Sequence, residues 1–371
     1  MTCAPAARAG DGVDAVATPA LVIDLDAMER NLERMAAWAR EHRIALRPHA
    51  KMHKCAAIAR LQIAAGAVGV CVQKTSEALA LADAGIGDLY ISNEVVAEDR
   101  LAQAAALAGR VRLAIAVDST LGVERLAAAL RAAGTRADVF VEVDVGHGRC
   151  GVAPAAAGAL AQQVVSHGLR FAGLQAYHGR AQHLREPAER EAAIRHAVAQ
   201  ARAAQAAVTA AGIACPRVTG AGTGTFVHEA ASGLYGELQP GSYLFLDRDY
   251  ADNRPTPGAP RFEHALFVKS QVTSRGHAHA VVDAGHKSHA LDSGLPAVWQ
   301  RELAFADGGD EHGILRGAAA ALPGLGETVW LVPGHCDPTV NLHDHFVAVR
   351  GGLAGGVVEA VWPIEARGCV R

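Results

Sequence analysis

Short apolar runs of β-type residues alternate with alanine- and leucine-rich stretches of helical period through the first two thirds of the chain. This alternation is typical of βα units and of a parallel sheet. The predicted strands are residues 21–25, 44–47, 67–72, 88–92, 111–117, 139–144, 171–176 and 217–219. The helical pattern is clearest at residues 26–42, 55–65, 76–84, 121–133 and 186–211. Eight repeats within residues 20–250 predict an α/β fold with a (β/α)8 TIM-type barrel; an open doubly wound sheet is the alternative.

The pattern changes after about residue 250. Residues 252–260 are rich in proline and have no helical period, which indicates a domain boundary. Beyond them, β-type runs follow one another without long helices at residues 265–274, 278–283, 328–332 and 346–350. We therefore expect a second, mostly β domain over residues 255–371. Residues 1–19 precede the first predicted barrel strand and are expected to join this β domain.

Composition excludes several classes of function. The formal net charge of −3 gives no electrostatic reason to expect binding to nucleic acid or to an anionic membrane. No stretch is as long and apolar as a membrane-spanning helix requires, and the N-terminus lacks the apolar core of a signal peptide. The seven cysteines are scattered without a CxxC pair, which favours reduced thiols over disulfides or a zinc ribbon. We expect a cytoplasmic protein.

Polar residues cluster where the predicted barrel strands end, which is where barrel enzymes carry their active sites. After the last predicted strand, residues 219–225 combine three glycines with three threonines. Glycines allow close approach of the backbone, and clustered N–H groups with threonine hydroxyls form a cradle for anions. Because loops at this end of a barrel often bind phosphate, we expect a phosphate site here. The alternative is a flexible turn.

The most informative residue is Lys51, which follows the second predicted strand. The chain has only five lysines, and a lysine that forms an imine needs partial desolvation or nearby cations, so that its amine can be neutral. The neighbours that could supply such a cationic setting are Arg47, His49, His53 and Lys54. A basic patch that attracts an anionic substrate is the alternative, and Lys74, after the third strand, is the rival lysine.

Two further groups suggest chemistry. Arg149 follows a glycine at a strand end and could bind a carboxylate or an enolate-like oxygen; an ordinary surface arginine is the alternative. His335 and Asp337, two residues apart on an expected extended turn, would project to the same side and could bind one divalent cation. Such ligands suit Mn²⁺, Mg²⁺, Co²⁺ or Zn²⁺. A purely structural turn is the alternative.

Long ordered motifs from about residue 18 to the C-terminus resemble the D-threonine aldolase and D-3-hydroxyaspartate aldolase family. The clearest are Leu46-Arg-Pro-His-Ala-Lys-Met-His-Lys-Cys, Val143-Asp-Val-Gly-His-Gly-Arg-Cys-Gly and Gly334-His-Cys-Asp-Pro-Thr-Val-Asn-Leu-His-Asp. Others lie at residues 18–25, 69–74, 91–96, 174–179 and 238–243. The resemblance implies a fold-type III enzyme of the alanine racemase-like type, in which a barrel binds pyridoxal 5′-phosphate (PLP) beside a β domain. It also implies a homodimer and a divalent metal.

The resemblance assigns roles by motif. Lys51 would carry PLP, Arg149 would contact its phenolic oxygen, and Gln73 and Tyr177 would line its ring. The residues expected around the phosphate are Gly222, Thr223, Gly224, Gly241, Ser242 and Tyr243. The remaining roles are His183 as the catalytic base and His335 with Asp337 as the metal ligands.

The implied reaction is cleavage of a small D-3-hydroxy-amino acid, of the D-threonine or 3-hydroxy-D-aspartate type, to glycine and an aldehyde. Related D-serine dehydratases carry His-x-Cys as their metal pair, whereas the present spacing is His-Cys-Asp, which favours the aldolases. A metal-dependent D-serine or 3-hydroxyaspartate dehydratase remains the alternative. A non-catalytic PLP-binding protein is a further alternative, which the β domain disfavours. Arg180 could favour an acidic substrate side chain, or could simply be exposed to solvent.

Overall fold

Two β-sheets organise residues 4–371, the part of the chain that the computed structural model describes. Strands and α-helices are numbered in chain order, and the first strand is β1 (Ala20–Asp24). One sheet contains eight parallel strands: β2 (Ala45–Leu46), β3 (Val70–Val72), β4 (Asp88–Glu94), β5 (Arg112–Val117), β6 (Asp138–Glu142), β7 (Arg170–Ala176), β8 (Val218–Gly220) and β9 (Glu237–Leu238).

This sheet curls into a barrel. Its strand order is β2-β9-β8-β7-β6-β5-β4-β3, so β2 and β3 are the two ends. The N–H of Cys71 donates to the carbonyl oxygen of Pro48 at 2.8 Å, and His49 and Cys71 form a parallel bridge that joins these ends. The predicted fold class is therefore confirmed, and the open doubly wound sheet is excluded for the described chain.

Helices surround the barrel. They are α1 (Leu25–Glu41), α2 (Ala56–Ala64), α3 (Thr75–Asp83), α4 (Glu98–Leu107), α5 (Thr120–Ala133), α6 (Ala157–Ser166), α7 (Pro187–Ala210), α8 (Phe226–Ala231) and α9 (Arg248–Ala251). Helix α5 shows why the sequence folds this way. The Ser119 side chain caps its first turn by accepting from the N–H of Gly122, and Gly134 ends it with a φ of 65°. Its buried face has helical spacing and packs on the barrel.

One strand prediction is wrong. Residues 21–25 were expected to form the first barrel strand, but β1 pairs with strands of the other sheet. The eighth barrel strand is instead β9, which pairs with β8 and β2. An apolar run does not encode which sheet it joins, and a two-residue strand is too short to show a β pattern.

The second sheet is mostly antiparallel and contains β1 together with the C-terminal strands. These are β10 (Leu266–Arg275), β11 (Ala280–Val282), β12 (Ala297–Val298), β13 (Ala304–Asp307), β14 (Gly313–Arg316), β15 (Thr328–Val332), β16 (His345–Arg350) and β17 (Val357–Pro363). The N-terminal residues pack on this sheet: Val13 and Val16 are buried against Val347, and the Lys269 ammonium donates to the carbonyl oxygens of Val13 and Val16.

The β domain reaches the barrel at the loop that carries Lys51. Helix α10 (Cys336–Val340) lies beside this loop, and the Ala56 N–H donates to the Glu365 carboxylate at 2.9 Å. A shared cluster of buried apolar side chains runs from the barrel into β10, β15 and β16. No helix between residues 4 and 371 is sufficiently long and apolar to cross a membrane.

Candidate active site

A cavity of about 280 Å³ opens at the carboxyl end of the barrel strands. Of the predicted site residues, those on its wall are Lys51, Gln73, Arg149, Tyr177, His183, Gly222, Thr223, Gly241 and Ser242. Gly224 and Tyr243 lie behind the wall, and their N–H groups donate to Gln182 and Thr223. His335 and Asp337 lie next to the cavity, where Asp337 contacts Lys51. The structure therefore brings all the predicted residues to one end of the barrel.

Lys51 lies in a single 3-10 turn, Ala50–Met52, that follows β2. Its Nζ contacts Oδ1 of Asp337, and 41% of its side chain is accessible from the cavity. Burial within the protein opposes a charge on this amine, but the Asp337 carboxylate and the Tyr177 hydroxyl outweigh burial and raise the pKa of Lys51. Without a cofactor, the amine is thus held as an ammonium by a carboxylate of the β domain.

The predicted cationic setting around Lys51 is wrong. Arg47 points into the barrel and forms ion pairs with Asp88 and Glu237, and the Lys54 ammonium is paired with Glu77. His53 is buried, and desolvation lowers its pKa to about 4. Asp88 and Glu237 are the first residues of β4 and β9, so Arg47 is paired at the amino ends of the barrel strands, away from the cavity. A basic run in the sequence therefore does not make a basic pocket.

Of the four expected cations Arg47, His49, His53 and Lys54, only His49 lines the cavity. Desolvation, and next to it the Lys51 charge, lower the pKa of His49 to about 3, so its ring is neutral. Its Nδ1 accepts from the N–H of Lys51 at 3.4 Å, and its Nε2–H donates to Ser92 Oγ at 3.1 Å. This neutral ring fixes the backbone of Lys51 without adding a positive charge.

Two glycine-containing loops form an anion cradle on the opposite wall. A Cβ at Gly241 would lie 2.8 Å from the carbonyl oxygen of His49, so this position requires glycine, and a Cβ at Gly222 would lie 2.5 Å from Oε1 of Gln182 and would displace that side chain. Within residues 4–371, the N–H groups of Gly222, Thr223 and Gly241 have no hydrogen-bond acceptor. Free backbone donors of this kind suit a phosphate group. The cavity and its donors therefore fit PLP.

Gln73 and Lys74, the lysine that was the rival of Lys51, immediately precede α3. The buried Glu77 carboxylate accepts from the N–H of Gln73 at 2.7 Å and from the N–H of Lys74 at 3.0 Å. The Lys54 ammonium neutralises the same carboxylate. Gln73 lines the cavity, whereas Lys74 does not. Lys51 is therefore the lysine on the cavity wall.

Arg149 and Tyr177 lie side by side on the wall. The Arg149 guanidinium carbon is 5.7 Å from the centroid of the Tyr177 ring, and Nη2 of Arg149 is 4.0 Å from Oε1 of Glu142. Desolvation and the adjacent Glu94 raise the pKa of Glu142 to about 9, so that carboxyl group is largely protonated at neutral pH. Arg149 therefore keeps most of its positive charge available to the cavity.

The orientation of the His183 ring is fixed by Asp249. Its Nδ1–H donates to Oδ2 of Asp249 at 2.5 Å, and Arg185 is also bound to this carboxylate. Desolvation opposes the charge of Asp249, but the hydrogen bonds from His183 and Arg185 lower its pKa to about 2. In the neutral tautomer that donates through Nδ1, Nε2 of His183 is an acceptor, as a general base requires.

His335 and Asp337 form a pair suited to a cation. The expected extended turn is instead the start of α10, with His335 at its N-cap, but Nε2 of His335 still lies 3.5 Å from Oδ2 of Asp337. Oδ2 of Asp337 is buried and has no hydrogen-bond partner among the described residues. Nδ1–H of His335 donates to Asp292 at 2.6 Å, which leaves Nε2 for a ligand. These donors fit a divalent metal.

The pair does not make a complete metal site. No group of three or more His, Cys, Asp or Glu side chains in residues 4–371 is arranged to hold an ion. A metal held here would therefore keep positions for water or substrate, as catalytic metals do.

Comparisons with known proteins agree with this geometry. The alanine racemase N-terminal domain family matches residues 23–249, and a putative serine dehydratase domain matches residues 265–349. A D-threonine aldolase from Arthrobacter sp. is 47% identical, over 99% of this chain and 97% of the relative. The chain belongs to the D-threonine aldolase family. This confirms the resemblance seen in the motifs.

Two further members of the D-threonine aldolase family are similar over almost the whole chain. A 3-hydroxy-D-aspartate aldolase from Paracoccus denitrificans (strain Pd 1222) is 41% identical, over 95% of this chain and 92% of the relative. A crystal structure of D-threonine aldolase from Filomicrobium marinum superposes with a TM-score of 0.96 and 49% identity, covering 99% of this chain and all of that one. The D-threonine aldolase family is PLP-dependent and of fold type III.

Several cavity residues were not predicted from the sequence: Ser92, His147, Gln175, Gln239 and Tyr250, while His49 was expected only as a cation near Lys51. His49 and His147 lie inside motifs that the sequence singles out, so their position was a signal. Gln175 and Gln239 form a buried network at the ends of β7 and β9, in which Nε2 of Gln239 donates to Oε1 of Gln175 at 2.8 Å. Polar residues at buried strand ends were the signal that could have identified them.

Proposed function

We propose that the protein is a PLP- and divalent-metal-dependent aldolase that cleaves D-3-hydroxy-amino acids to glycine and an aldehyde. The observation that carries the proposal is the position of Lys51 in the cavity, in contact with Asp337, whose second carboxylate oxygen has no partner beside His335. This contact supports a site at which Lys51 would form the imine and His335 with Asp337 would bind the cation. Family membership supports the same reaction type.

Most of the residues that would bind PLP lie on the cavity wall. Lys51 would hold it covalently, the N–H groups of Gly222, Thr223 and Gly241 would hold its phosphate, and Arg149 would contact its phenolic oxygen. Gly224, Ser242 and Tyr243 would complete the phosphate loops, with Gln73 and Tyr177 beside the ring. When bound, PLP supplies an electron sink for the pair released when the Cα–Cβ bond breaks.

His183 would act as the base. Retro-aldol cleavage removes the proton of the 3-hydroxyl, and Nε2 of His183 is the acceptor that faces the cavity. Asp249 keeps the ring in the required tautomer through Nδ1. His335 and Asp337 would hold the divalent cation, of which Mn²⁺, Mg²⁺, Co²⁺ and Zn²⁺ are candidates. Such a cation supplies Lewis acidity, which lowers the pKa of a hydroxyl group.

A metal-dependent dehydratase is the second candidate, because the serine dehydratase domain family matches residues 265–349. The two reactions give different products from one substrate. An aldolase yields glycine and an aldehyde, whereas a dehydratase yields a keto acid and ammonia.

The test is a panel of D-threonine, D-phenylserine and 3-hydroxy-D-aspartate, each assayed with PLP for both product pairs. We expect glycine and aldehyde in stoichiometric amounts, loss of turnover with EDTA, and recovery when a divalent metal is restored. Keto acid as the main product would establish the dehydratase. An absence of turnover with every substrate and metal would favour a non-catalytic PLP-binding protein.

The proposal includes a homodimer in the cytoplasm. A groove on the β domain is lined by Phe267, Trp299 and Trp330, and aromatic side chains are enriched at protein interfaces. The described cysteines, which are all of them except Cys3, are free thiols, as is common in a reducing compartment. Light scattering after gel filtration tests the dimer, and fractionation of the source cells tests the location.

A further inference from the structure

The cavity wall carries positive groups but no carboxylate among the described residues. Its fixed cations are Lys51, Arg149 and Arg180. The Lys51 ammonium contacts Asp337, and Arg149 lies 4.0 Å from Glu142. Arg180 differs from both, because within residues 4–371 its side chain has neither an ion pair nor a hydrogen bond. A cation without a partner at a cavity mouth is suited to an anionic ligand.

The backbone that carries Arg180 is held firmly. Arg180 begins a 3-10 turn, and its N–H donates to Nδ1 of His147 at 3.0 Å. A Cβ at the preceding Gly179 would lie 2.5 Å from the His147 ring, so the turn packs closely on this ring. Further along the same turn, the buried Gln182 donates to Thr225 Oγ1 at 2.7 Å and ties the turn to the glycine loop. Arg180 is therefore an exposed residue that lines the cavity from a backbone held in place by these contacts.

We propose that Arg180 binds a carboxylate of the amino acid substrate. This rests on the proposed function, which makes the substrate an amino acid whose amine replaces the Lys51 amine on PLP and releases the lysine. The other anionic groups already have partners, since the backbone donors at Gly222 and Gly241 suit the phosphate and Arg149 suits the phenolic oxygen. The carboxylate is then the anion without a partner, and Arg180 is the cation without one. A guanidinium can bind a carboxylate through two parallel hydrogen bonds.

Two carboxylates meet this description: the α-carboxylate that every amino acid has, and the side-chain carboxylate of substrates such as 3-hydroxy-D-aspartate. D-Alanine and D-aspartate separate them, because D-alanine has only the first. Neither has a 3-hydroxyl, so neither can undergo retro-aldol cleavage, and the dissociation constant can be measured from the absorbance change of the PLP-loaded protein.

The variants are Arg180→Ala and Arg180→Lys, with Arg195→Ala as the matched control, since Arg195 is an exposed arginine on α7 away from the cavity. We expect Arg180→Ala to weaken binding by about tenfold or more, the size expected for a charged hydrogen bond, and Arg180→Lys to restore part of it. An equal loss for both ligands assigns the α-carboxylate, and a loss for D-aspartate alone assigns the side chain.

Unchanged dissociation constants for both ligands in Arg180→Ala overturn the proposal. So does a loss that Arg195→Ala reproduces. PLP content and far-UV circular dichroism check that each variant is folded and loaded. Failure of this proposal and failure of the proposed function are distinguishable, because wild-type cleavage of D-threonine is assayed separately. Turnover without an effect of Arg180→Ala on binding would overturn the role of Arg180 alone, and Arg180-dependent binding without turnover would overturn the aldolase reaction alone.

Discussion

Asp249 accepts the Nδ1 proton of His183 at 2.5 Å, and this bond fixes which nitrogen of the ring faces the cavity. Only 7% of the Asp249 side chain is exposed, whereas 48% of the His183 side chain is. The carboxylate is charged at neutral pH, because hydrogen bonds from His183 and Arg185 hold its pKa at about 2 against the effect of burial. A buried anion thus orients an accessible base.

Replacing His183 by glutamine should therefore lower kcat by about 10²- to 10⁴-fold, the range typical of a lost general base. PLP content should be unchanged, since His183 is not among the residues that hold PLP. Asp249→Asn should give a smaller loss of kcat, because the ring remains but its orientation is weaker. Steady-state kinetics with D-threonine and the absorbance of bound PLP measure both effects. If His183→Gln retains more than a tenth of wild-type kcat, another group is the base.

The assignment of Lys51 is tested by Lys51→Ala. The variant should lose the visible absorbance of the imine, and borohydride should leave no covalent adduct on the protein. Lys74→Ala is the matched control, since Lys74 lies off the cavity wall and should keep both signals. Peptide mapping by mass spectrometry locates the adduct in the wild type. An adduct on any residue other than Lys51 would contradict the proposed cofactor site.

If His335 and Asp337 bind a cation, replacing Asp337 should affect activity and PLP content differently. Asp337→Ala should reduce activity at least about tenfold more than it reduces PLP content, because Asp337 is a candidate metal ligand and not a PLP contact. Excess Mn²⁺ should recover part of the activity, since His335 remains. Asp292→Ala, which removes only the partner of Nδ1, should have the weaker phenotype. Bound metal is measured by mass spectrometry, and equal losses of activity and PLP would show a structural role instead.

Most residues of this candidate site can be predicted from the sequence, because they lie in contiguous motifs at strand ends. Lys51 and Arg149 follow strands, and the free N–H groups of Gly222 and Thr223 match the anion cradle expected of the glycine-rich loop. Periodicity also predicted the helices closely: residues 121–133 were expected to be helical, and α5 spans Thr120–Ala133.

Ion pairs between residues that are distant along the chain could not be predicted from the sequence. Lys51 and Asp337 are 286 residues apart, so nothing local indicated that the lysine would contact an anion and not neighbouring cations. Arg47 follows the same rule, because its partner Glu237 lies on β9, a strand of only two residues. Long-range pairs of this kind depend on which strands become neighbours, and an apolar run does not specify that.

The buried carboxyl group of Glu229, near the glycine loop, should make the stability of the protein depend on pH. Glu229 is 1% exposed, its Oε1 accepts from the Thr225 hydroxyl at 2.7 Å, and its Oε2 has no partner among the described residues. Desolvation raises the pKa of Glu229 from 4.5 to about 7. Between these two values the folded protein holds a proton that the unfolded chain has released. Its stability therefore falls as pH rises through this window, at up to about 1.4 kcal/mol for each pH unit.

Glu229→Gln removes this penalty, because the amide stays neutral and its oxygen still accepts from Thr225. The variant should match the wild type near pH 5, where Glu229 is protonated in the folded state, and should gain at least ~2 °C in Tm near pH 8.5. Glu33→Gln, at an exposed position on α1, is the control and should leave the difference between the two pH values unchanged. Differential scanning calorimetry at both pH values measures the effect. A gain of the same size at pH 5 and pH 8.5 would mean that packing, and not the buried charge, separates the two side chains.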